Sequence, residues 1–394
     1  MIGSATPAEA AAAEVSAPRA RGPWTGRAAM LATYAVAAIV LFGAAPAMLT
    51  DFRLRMLAQF LCVAMVAVGI GLAWGSGGML TLGQGLFFGL GAYIMAMHLQ
   101  LSSAGPSGRP AFMVTGSDLP WWWELFRSPA TALLGIVAVP GLLALLLGLS
   151  VFRRRVKGAY FAILSQASAA AFALLLISQQ NTIGGSNGLS SFRQFFGFAL
   201  NDPVNRRMLY FIAAGVLIAM VAVVHQLRRS RYGELLTAVR DGEERARFLG
   251  YDTAMVKVVA YVVAAVFAAI GGALFVPIVG IISPQNVGVV PSIGFLVGVA
   301  VGGRATLFGP VLGSLAVSYA GSTLSEQIES GWVYVQGFLF ILVVAFLPGG
   351  LGSIAAVVRS RRRRPAADEL PRGVPEPDAP DPEPTPADVR SGGA

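Results

Sequence analysis

Apolar runs of about 20 residues recur along almost the whole of this 394-residue chain, and this pattern limits the folds open to it. An α-helix of about 20 apolar residues spans the hydrocarbon core of a bilayer. Charged residues make up 12% of the chain, which is about half the fraction usual in soluble domains. The sequence therefore predicts an all-α, polytopic helical membrane protein with about 8–10 transmembrane helices. The candidate spans are 28–49, 56–74, 79–99, 130–152, 158–179, 208–227, 257–282, 291–303, 306–323 and 332–354.

Basic residues indicate the orientation of these spans. The 29 lysines and arginines cluster beside apolar runs, chiefly at 19–27, 153–157, 228–231 and 359–364. Cytoplasmic loops carry an excess of Lys and Arg, so this pattern sets topology and argues against a nucleic-acid-binding face. With ten crossings both termini are cytoplasmic, and 22 of the 29 basic residues lie on that side. The spans at 79–99 and 291–323 are broken by glycine, and a re-entrant 291–323 gives eight crossings with the same sidedness.

Composition divides the chain into three parts. Residues 1–27 are rich in alanine and are predicted to be a disordered cytosolic lead, followed by a transmembrane domain over 28–357. The longest loop between spans, 228–256, is predicted to be cytosolic. Residues 358–394 are first basic and then rich in proline and acidic residues, which predicts a disordered cytosolic tail. The one cysteine, Cys62, lies in an apolar run, so neither a disulfide framework nor a Cys-ligated metal site is expected.

Glycines at four-residue spacing mark the two interrupted regions. This spacing allows helix backbones to approach closely where lipid provides no hydrophobic drive for association. Broken backbone is tolerated at membrane depth only where protein or a water-filled path covers it. The glycines expected at helix contacts are Gly85, Gly89, Gly298, Gly302, Gly309 and Gly313.

Polar side chains on or near these segments are candidates for a transport path, on polarity and placement alone. They are Thr81, Gln84, Gln166, Asn187 and Thr306. The alternative is that the glycines serve close packing only. The pattern Gly-Gly-x-x-Thr-Leu occurs at both 77–82 and 302–307, as in a transporter built from repeats. Chance similarity is the competing explanation, because the chain has 47 glycines.

The source of energy is restricted by what the spans lack. All 20 acidic residues lie outside the candidate spans, whereas ion-coupled transporters usually carry an intramembrane carboxylate or histidine. The chain also has no GxxxxGK[ST] phosphate loop. It is therefore predicted to be either a passive channel or a transporter that another subunit powers, and an ion-coupled carrier is disfavoured.

One loop favours the second option. Residues 232–248 are predicted to form an amphipathic helix, which Gly250 ends as a C-cap. Its apolar face carries Leu235, Leu236 and Val239. Such a helix is an element that a motor subunit can push, and the alternative is a solvated, charged loop.

Five segments in a fixed order resemble a known family. The chain is similar to the permease subunit of ABC importers for branched-chain amino acids and urea, the M/C-type member of the permease pair. The resemblance covers roughly residues 30–355 and ends at FLPGGL (346–351). The segments are GGMLTLGQGLFFGLGAY (77–93), GAYFAILSQASA (158–169), TIGGSNGL (182–189), AVRDGEERARFLGYD (238–252) and VAVGGRATLFGPVLGS (299–314).

The resemblance implies a non-enzymatic permease subunit in the bacterial inner membrane, with no cofactor of its own. It further implies a second, homologous permease, two cytosolic ATPases that hydrolyse ATP, and a periplasmic solute-binding protein. On this basis the 238–252 segment belongs to the coupling element that docks into an ATPase. The residues expected to couple are Leu235, Leu236, Arg240, Asp241 and Gly250.

Within the family, the motif variants point to a substrate. Gln84, the Ser165-Gln166 pair and Asn187 look closer to urea-type permeases than to branched-chain amino acid members. Urea is neutral and needs amide and hydroxyl partners, in keeping with these residues. We therefore predict a urea importer permease. The alternatives are a permease for leucine, isoleucine and valine, and a stand-alone urea or amide channel.

Overall fold

A computed structural model describes residues 23–104, 110, 113, 119–156, 158–325 and 331–346. Eleven helices in these parts are labelled here in chain order. They are α1 (Pro23–Ala38), α2 (Asp51–Ile70), α3 (Gln84–Ser103), α4 (Pro129–Arg153), α5 (Ala159–Ser178), α6 (Pro203–Arg229), α7 (Arg231–Phe248), α8 (Thr253–Val279), α9 (Val289–Gly302), α10 (Gly309–Ser325) and α11 (Trp332–Phe346).

Short elements join or extend these helices. The π-helical turns Ile39–Ala44 and Gly71–Ser76 extend α1 and α2. Single helical turns lie at Ala45–Met48, Trp121–Glu124, Gln180–Ile183, Gly185–Asn187 and Pro284–Asn286. The strands are two residues each: β1 (Leu189–Ser190), β2 (Gln194–Phe195), β3 (Phe198–Ala199) and β4 (Ile281–Ile282). β1 pairs antiparallel with β4, and β2 pairs with β3.

Within the described residues, seven helices are long and apolar enough to cross a membrane. This finding confirms the predicted all-α, polytopic class. The seven are Asp51–Ser76, Gln84–Ser103, Pro129–Arg153, Ala159–Ser178, Pro203–Arg229, Thr253–Val279 and Pro284–Gly302. The apolar part of the first helix, Ala32–Met48, is shorter, as are α10 and α11. Each of the ten predicted runs thus contains a helix, and the exact number of crossings stays a prediction.

Several helix boundaries differ from expectation by a few residues, including those of α1 and α3. Helix α1 begins at Pro23, inside the predicted lead of residues 1–27, because proline is favoured in the first turn of a helix. The rest of that lead and the predicted tail, 358–394, lie outside the described residues. The predicted span at 79–99 instead begins at Gln84 and ends at Ser103, because residues 77–83 do not form a helix.

Helix α8 is the centre of the bundle and packs against α2, α3 and α4. Its start is fixed by Asp252, whose carboxylate accepts hydrogen bonds from the N–H groups of Ala254 and Met255, both at 3.1 Å. Its end is fixed by Gly280, which has φ +88°. A Cβ added at Gly272 would overlap the carbonyl oxygen of Phe88 on α3. The core of the bundle is therefore held by backbone contact between helices.

The two ends of α8 define two ends of the bundle. At the end where α8 finishes, called here the loop end, β4 pairs with β1, and Arg55 at the start of α2 donates to the Val279 carbonyl at 3.1 Å. At the other end, called the α7 end, the Tyr232 hydroxyl of α7 donates to the Val256 carbonyl at 2.8 Å. Helix α2 therefore runs from the loop end to the α7 end.

Candidate functional site

The first break in helical structure, residues 77–83, separates the end of α2 from α3. It is largely buried, with Met79 5% exposed and Thr81 1% exposed. Gly78 has φ +68°, a conformation that glycine adopts readily. The Leu82 N–H donates to the Ser165 hydroxyl of α5 at 3.0 Å. Protein thus covers most of this irregular backbone, as is required of any break that lies at membrane depth.

The second break, residues 303–308, joins α9 to α10. Thr306 caps α10, because its hydroxyl accepts a hydrogen bond from the Gly309 N–H at 3.0 Å. The guanidinium of Arg304 lies 4.9 Å from the ring centre of Trp74, at the end of α2. A Cβ added at Gly75 would overlap the carbonyl oxygen of Arg304. The two Gly-Gly-x-x-Thr-Leu segments therefore both form breaks, and these breaks adjoin each other.

Helix α7 packs directly onto the first break. Leu236 is fully buried and Val239 is 2% exposed. A Cβ added at Gly77 would lie 3.2 Å from Leu236 Cδ1. Arg240 donates to the Gly75 carbonyl at 2.7 Å, so a cation lies at the C-terminal end of α2 where the helix dipole favours positive charge. The apolar face predicted for this helix is thus turned towards the bundle.

The second break is contacted by the end of α6, just before α7 begins, and Arg240 of α7 pairs with its neighbour Asp241. Arg228, at the end of α6, donates to the Ala305 carbonyl at 2.8 Å. Arg240 donates to the Asp241 carboxylate at 2.8 Å, and this hydrogen bond lowers the pKa of Asp241 below its ordinary value. Asp241 is solvent-exposed, so the pair keeps the Arg240 guanidinium oriented beside the break without forming a buried ion pair.

A cluster of charged groups fixes the second half of α7. Gly242 departs from helical geometry, with φ −164° and ψ 72°, and divides the helix in two. Just after this point, the Glu243 carboxylate pairs with Lys257 of α8 at 2.7 Å and with Arg247 at 3.1 Å. The side chains of Glu243 and Lys257 are only 16% and 12% exposed. Sequence reasoning did not identify this pair, because 14 positions separate its members across a loop.

A cavity of about 200 Å³ lies between α7, the first break and the ends of α4 and α8. Arg240 and Glu243 line it from α7, and Gly78 lines it from the break. The contact between α7 and the break is therefore less closely packed at this point than a protein interior, which resists small displacements.

The predicted coupling residues fall into two groups. Leu236 and Arg240 contact the bundle, and Leu235 is half-buried, whereas Asp241 and Gly250 are exposed. Gly250 has φ +89° just after the end of α7, in the position expected for a C-cap. Beside it, Phe248 and Leu249 are 92% and 77% exposed. The exposed apolar tip, residues 248–251, is therefore the part of this segment that is available to a partner.

The predicted path residues do not form one cluster. Gln84 and Thr81 are both 1% exposed and meet at 3.4 Å, with the Gln84 amide donating to the threonine hydroxyl. The Gln84 Oε1 atom has no hydrogen-bond partner among the described residues. Thr306 lies at the α7 end, Asn187 is exposed in a turn at the loop end, and Gln166 is half-buried on α5.

The six glycines expected at helix contacts all lie where another segment approaches closely. Cβ atoms added at Gly85 and Gly89 would overlap Val287, just before α9. On α9 and α10, a Cβ at Gly302 would overlap the Gly309 carbonyl, and one at Gly313 would overlap the Gly298 carbonyl. A Cβ at Gly309 would overlap the Thr306 hydroxyl. Helices α9 and α10 therefore form a hairpin in which backbone touches backbone.

Comparison with known proteins gives the family. A family model for the permease component of branched-chain amino acid transport systems matches residues 52–347. The chain belongs to this family. It is a permease subunit of the ABC transporter type and not an enzyme. It is also a multi-pass protein of the inner membrane.

Individual relatives of this permease are distant but cover most of its length. The high-affinity branched-chain amino acid transport system permease protein LivM of Escherichia coli is 25% identical over 81% of this chain and 74% of its own length. The corresponding permease protein LivH of Salmonella typhimurium is 24% identical over 73% of this chain and 90% of its own length. No solved structure matches the chain.

Proposed function

We propose that this permease moves branched-chain amino acids across the inner membrane, as one of two homologous permease subunits in an importer. The relatives named LivM and LivH are both permease proteins of branched-chain amino acid systems. Two different permeases of one kind of system thus resemble this chain, which supports a paired assembly. The higher-scoring similarity to LivM favours the M-type position in that pair.

Two cytosolic ATPases and a periplasmic solute-binding protein complete the proposed importer. The observation that supports this most is the placement of α7, which packs on the first break and leaves its apolar tip, residues 248–251, exposed. In the proposed orientation the α7 end is cytoplasmic. The basic residues there support it, including Arg153, Arg228, Arg231 and Arg245, because cytoplasmic segments are enriched in Lys and Arg.

The proposed mechanism passes through the first break. ATP-driven closure of the motor subunits shifts α7 by way of its exposed tip. Because Leu236 and Arg240 contact residues 75–78, that shift repositions the end of α2 and the start of α3. The adjoining second break connects the same movement to α9 and α10. Alternation between outward-open and inward-open states then follows from motion of one set of helices against another.

Urea is the competing substrate, and motif variants at Gln84, Gln166 and Asn187 are what favour it. Those residues do not converge on one polar site, since Asn187 lies at the loop end and Gln166 is half-buried on α5. The relatives are named for branched-chain amino acids. The comparisons therefore favour branched-chain amino acids over the urea reading that the motifs suggested.

Uptake of labelled leucine and labelled urea, each at low concentration, separates these substrates. The measurement uses source cells with the gene for this chain deleted and the same cells with it restored. Deletion is expected to reduce leucine uptake to background and leave urea uptake unchanged, because each binding-protein-dependent importer delivers its own solute. Loss of urea uptake with intact leucine uptake would instead assign this permease to urea.

A further inference from the structure

A cleft of about 390 Å³ opens between α2, α9, α10 and α11, towards the loop end of the bundle. This volume lies in the range of small-molecule sites, roughly 300–1,000 Å³. The cleft is separate from the cavity beneath α7. Five uncharged polar side chains line it: Gln59, Gln285, Ser318, Ser322 and Gln336.

Most of these polar groups lack protein partners. Within the described part of the chain, the side chains of Gln59, Gln285, Ser318 and Gln336 make no hydrogen bond. The Ser322 hydroxyl donates to the Tyr319 carbonyl at 2.9 Å. Amide side chains on membrane-spanning helices are costly unless they face a partner or a water-filled cavity. Gln285 is exposed in the turn before α9, but Gln59 and Gln336 are half-buried on helices, so these two unpaired amides indicate a ligand or water-filled path there.

The remaining walls of the cleft are apolar. Phe60 and Phe295 are 8% and 6% exposed, and Val63 lies one turn along α2 from Phe60. No charged side chain is among the lining residues. Polar and apolar surfaces thus lie side by side, which suits a small molecule with one strongly polar end and one aliphatic end.

We propose that this cleft holds the solute on its way through the permease, and that its ligand is a small zwitterion with an aliphatic side chain. The assignment rests on the proposed function. The glutamine side-chain oxygens can accept hydrogen bonds from the ammonium group of such a ligand. The glutamine N–H and serine O–H groups can donate hydrogen bonds to its carboxylate. Phe60, Val63 and Phe295 cover the aliphatic side chain. Without a full charge in the lining, binding is weak enough for the solute to leave again, as transport requires.

Protection of an introduced thiol tests the site without relying on transport. The assembled importer carries Ser318→Cys in this chain and is labelled with a membrane-impermeant maleimide, with ATP hydrolysis blocked. Native Cys62 is fully buried and gives no background in this chain. Leucine at about ten times its dissociation constant is expected to slow labelling about tenfold, because the free fraction of sites falls in proportion.

The matched control is Ser178→Cys, an exposed position at the end of α5 that does not line the cleft. Its labelling is expected to be the same with and without leucine. Equal labelling of Ser318→Cys with and without leucine, at concentrations far above those that saturate uptake, would overturn the site.

Substitution of the amides gives an independent test. The double variant Gln59→Leu/Gln336→Leu keeps side-chain volume and removes two hydrogen-bonding groups, so maximal leucine uptake is expected to fall about tenfold. The control is Gln226→Leu on α6, an exposed glutamine far from the cleft. An effect no larger than that of the control would count against the site. Failure of the proposed function is seen separately, as absence of leucine uptake by the unmodified importer.

Discussion

Replacing Gly302 with valine is expected to remove almost all folded permease from the membrane. A Cβ at this position would overlap the Gly309 carbonyl oxygen, so α9 and α10 have to separate before any side chain fits. Overpacking a well-packed interior costs about 1–3 kcal/mol even where flexible side chains can yield. Backbone cannot yield in that way, and the helix pair is held by close packing alone because lipid provides no hydrophobic drive. We therefore expect a loss of about 3 kcal/mol or more.

The matched control is Gly337→Val on α11, where an added Cβ meets nothing within 4 Å. Both variants add the same three carbons to a glycine on an apolar helix. The measurement is the amount of monodisperse protein recovered from membranes in detergent, compared with the unmodified chain. Recovery of Gly302→Val at the level of Gly337→Val would show that the α9–α10 contact is looser than described.

Replacing Arg240 with alanine is expected to uncouple ATP hydrolysis from leucine uptake. The variant removes the hydrogen bond that joins α7 to the Gly75 carbonyl while leaving the buried Leu236 in place. Hydrogen bonds to charged groups are worth about 1.5–3 kcal/mol, and the partial exposure of Arg240 favours the lower figure. Leucine transported per ATP hydrolysed is therefore expected to fall about tenfold.

Both rates are measured on the same reconstituted importer, together with the yield of assembled complex. Arg153→Ala is the charge-matched control, because Arg153 is exposed at the same end of the bundle on α4 and not on α7. Arg240→Lys retains a cation near the carbonyl and is expected to recover part of the coupling. An unchanged ratio of uptake to hydrolysis in Arg240→Ala would refute a role for this contact in transmission.

The sequence predicts the helices well because bilayer thickness imposes a single strong rule. Every apolar run of the ten contains a helix, and the amphipathic pattern at 232–248 predicts α7 to within one residue at its start. Glycine spacing also marks positions of close approach, such as Gly298 and Gly302 against α10, since an absent side chain is visible in the sequence. Both kinds of prediction use local patterns, so each can be made from a single continuous segment of the sequence.

Long-range contacts could not be predicted in the same way. Nothing in the sequence indicates that the breaks at 77–83 and 303–308 adjoin, because more than 200 residues separate them. The Glu243–Lys257 pair and the cleft between Gln59 and Gln336 are likewise formed by distant segments. A single glutamine in an apolar run has no partner in the sequence. Only the packing of α2 against α9 and α10 places Gln59 on the wall of a cleft.

Polarity alone does not separate residues of a transport path from residues with structural roles. It selected Thr306, whose hydroxyl caps α10, and Asn187, which lies in an exposed turn. It does not single out Gln59 and Gln336, which face the cleft of about 390 Å³ proposed to hold the solute. Short polar residues at helix ends often satisfy backbone groups, so their presence in a glycine-rich segment does not distinguish a cap from a ligand.

The most direct test of an ATP-driven permease is accumulation of leucine against its gradient. Proteoliposomes containing this chain, its partner permease and the ATPases receive the binding protein and labelled leucine on the side of the loop end. With ATP on the α7 side, leucine is expected to accumulate above its external concentration, and with a non-hydrolysable ATP analogue it is not. Equilibration to the external concentration at the same rate with either nucleotide would contradict a motor-driven permease and identify a passive channel.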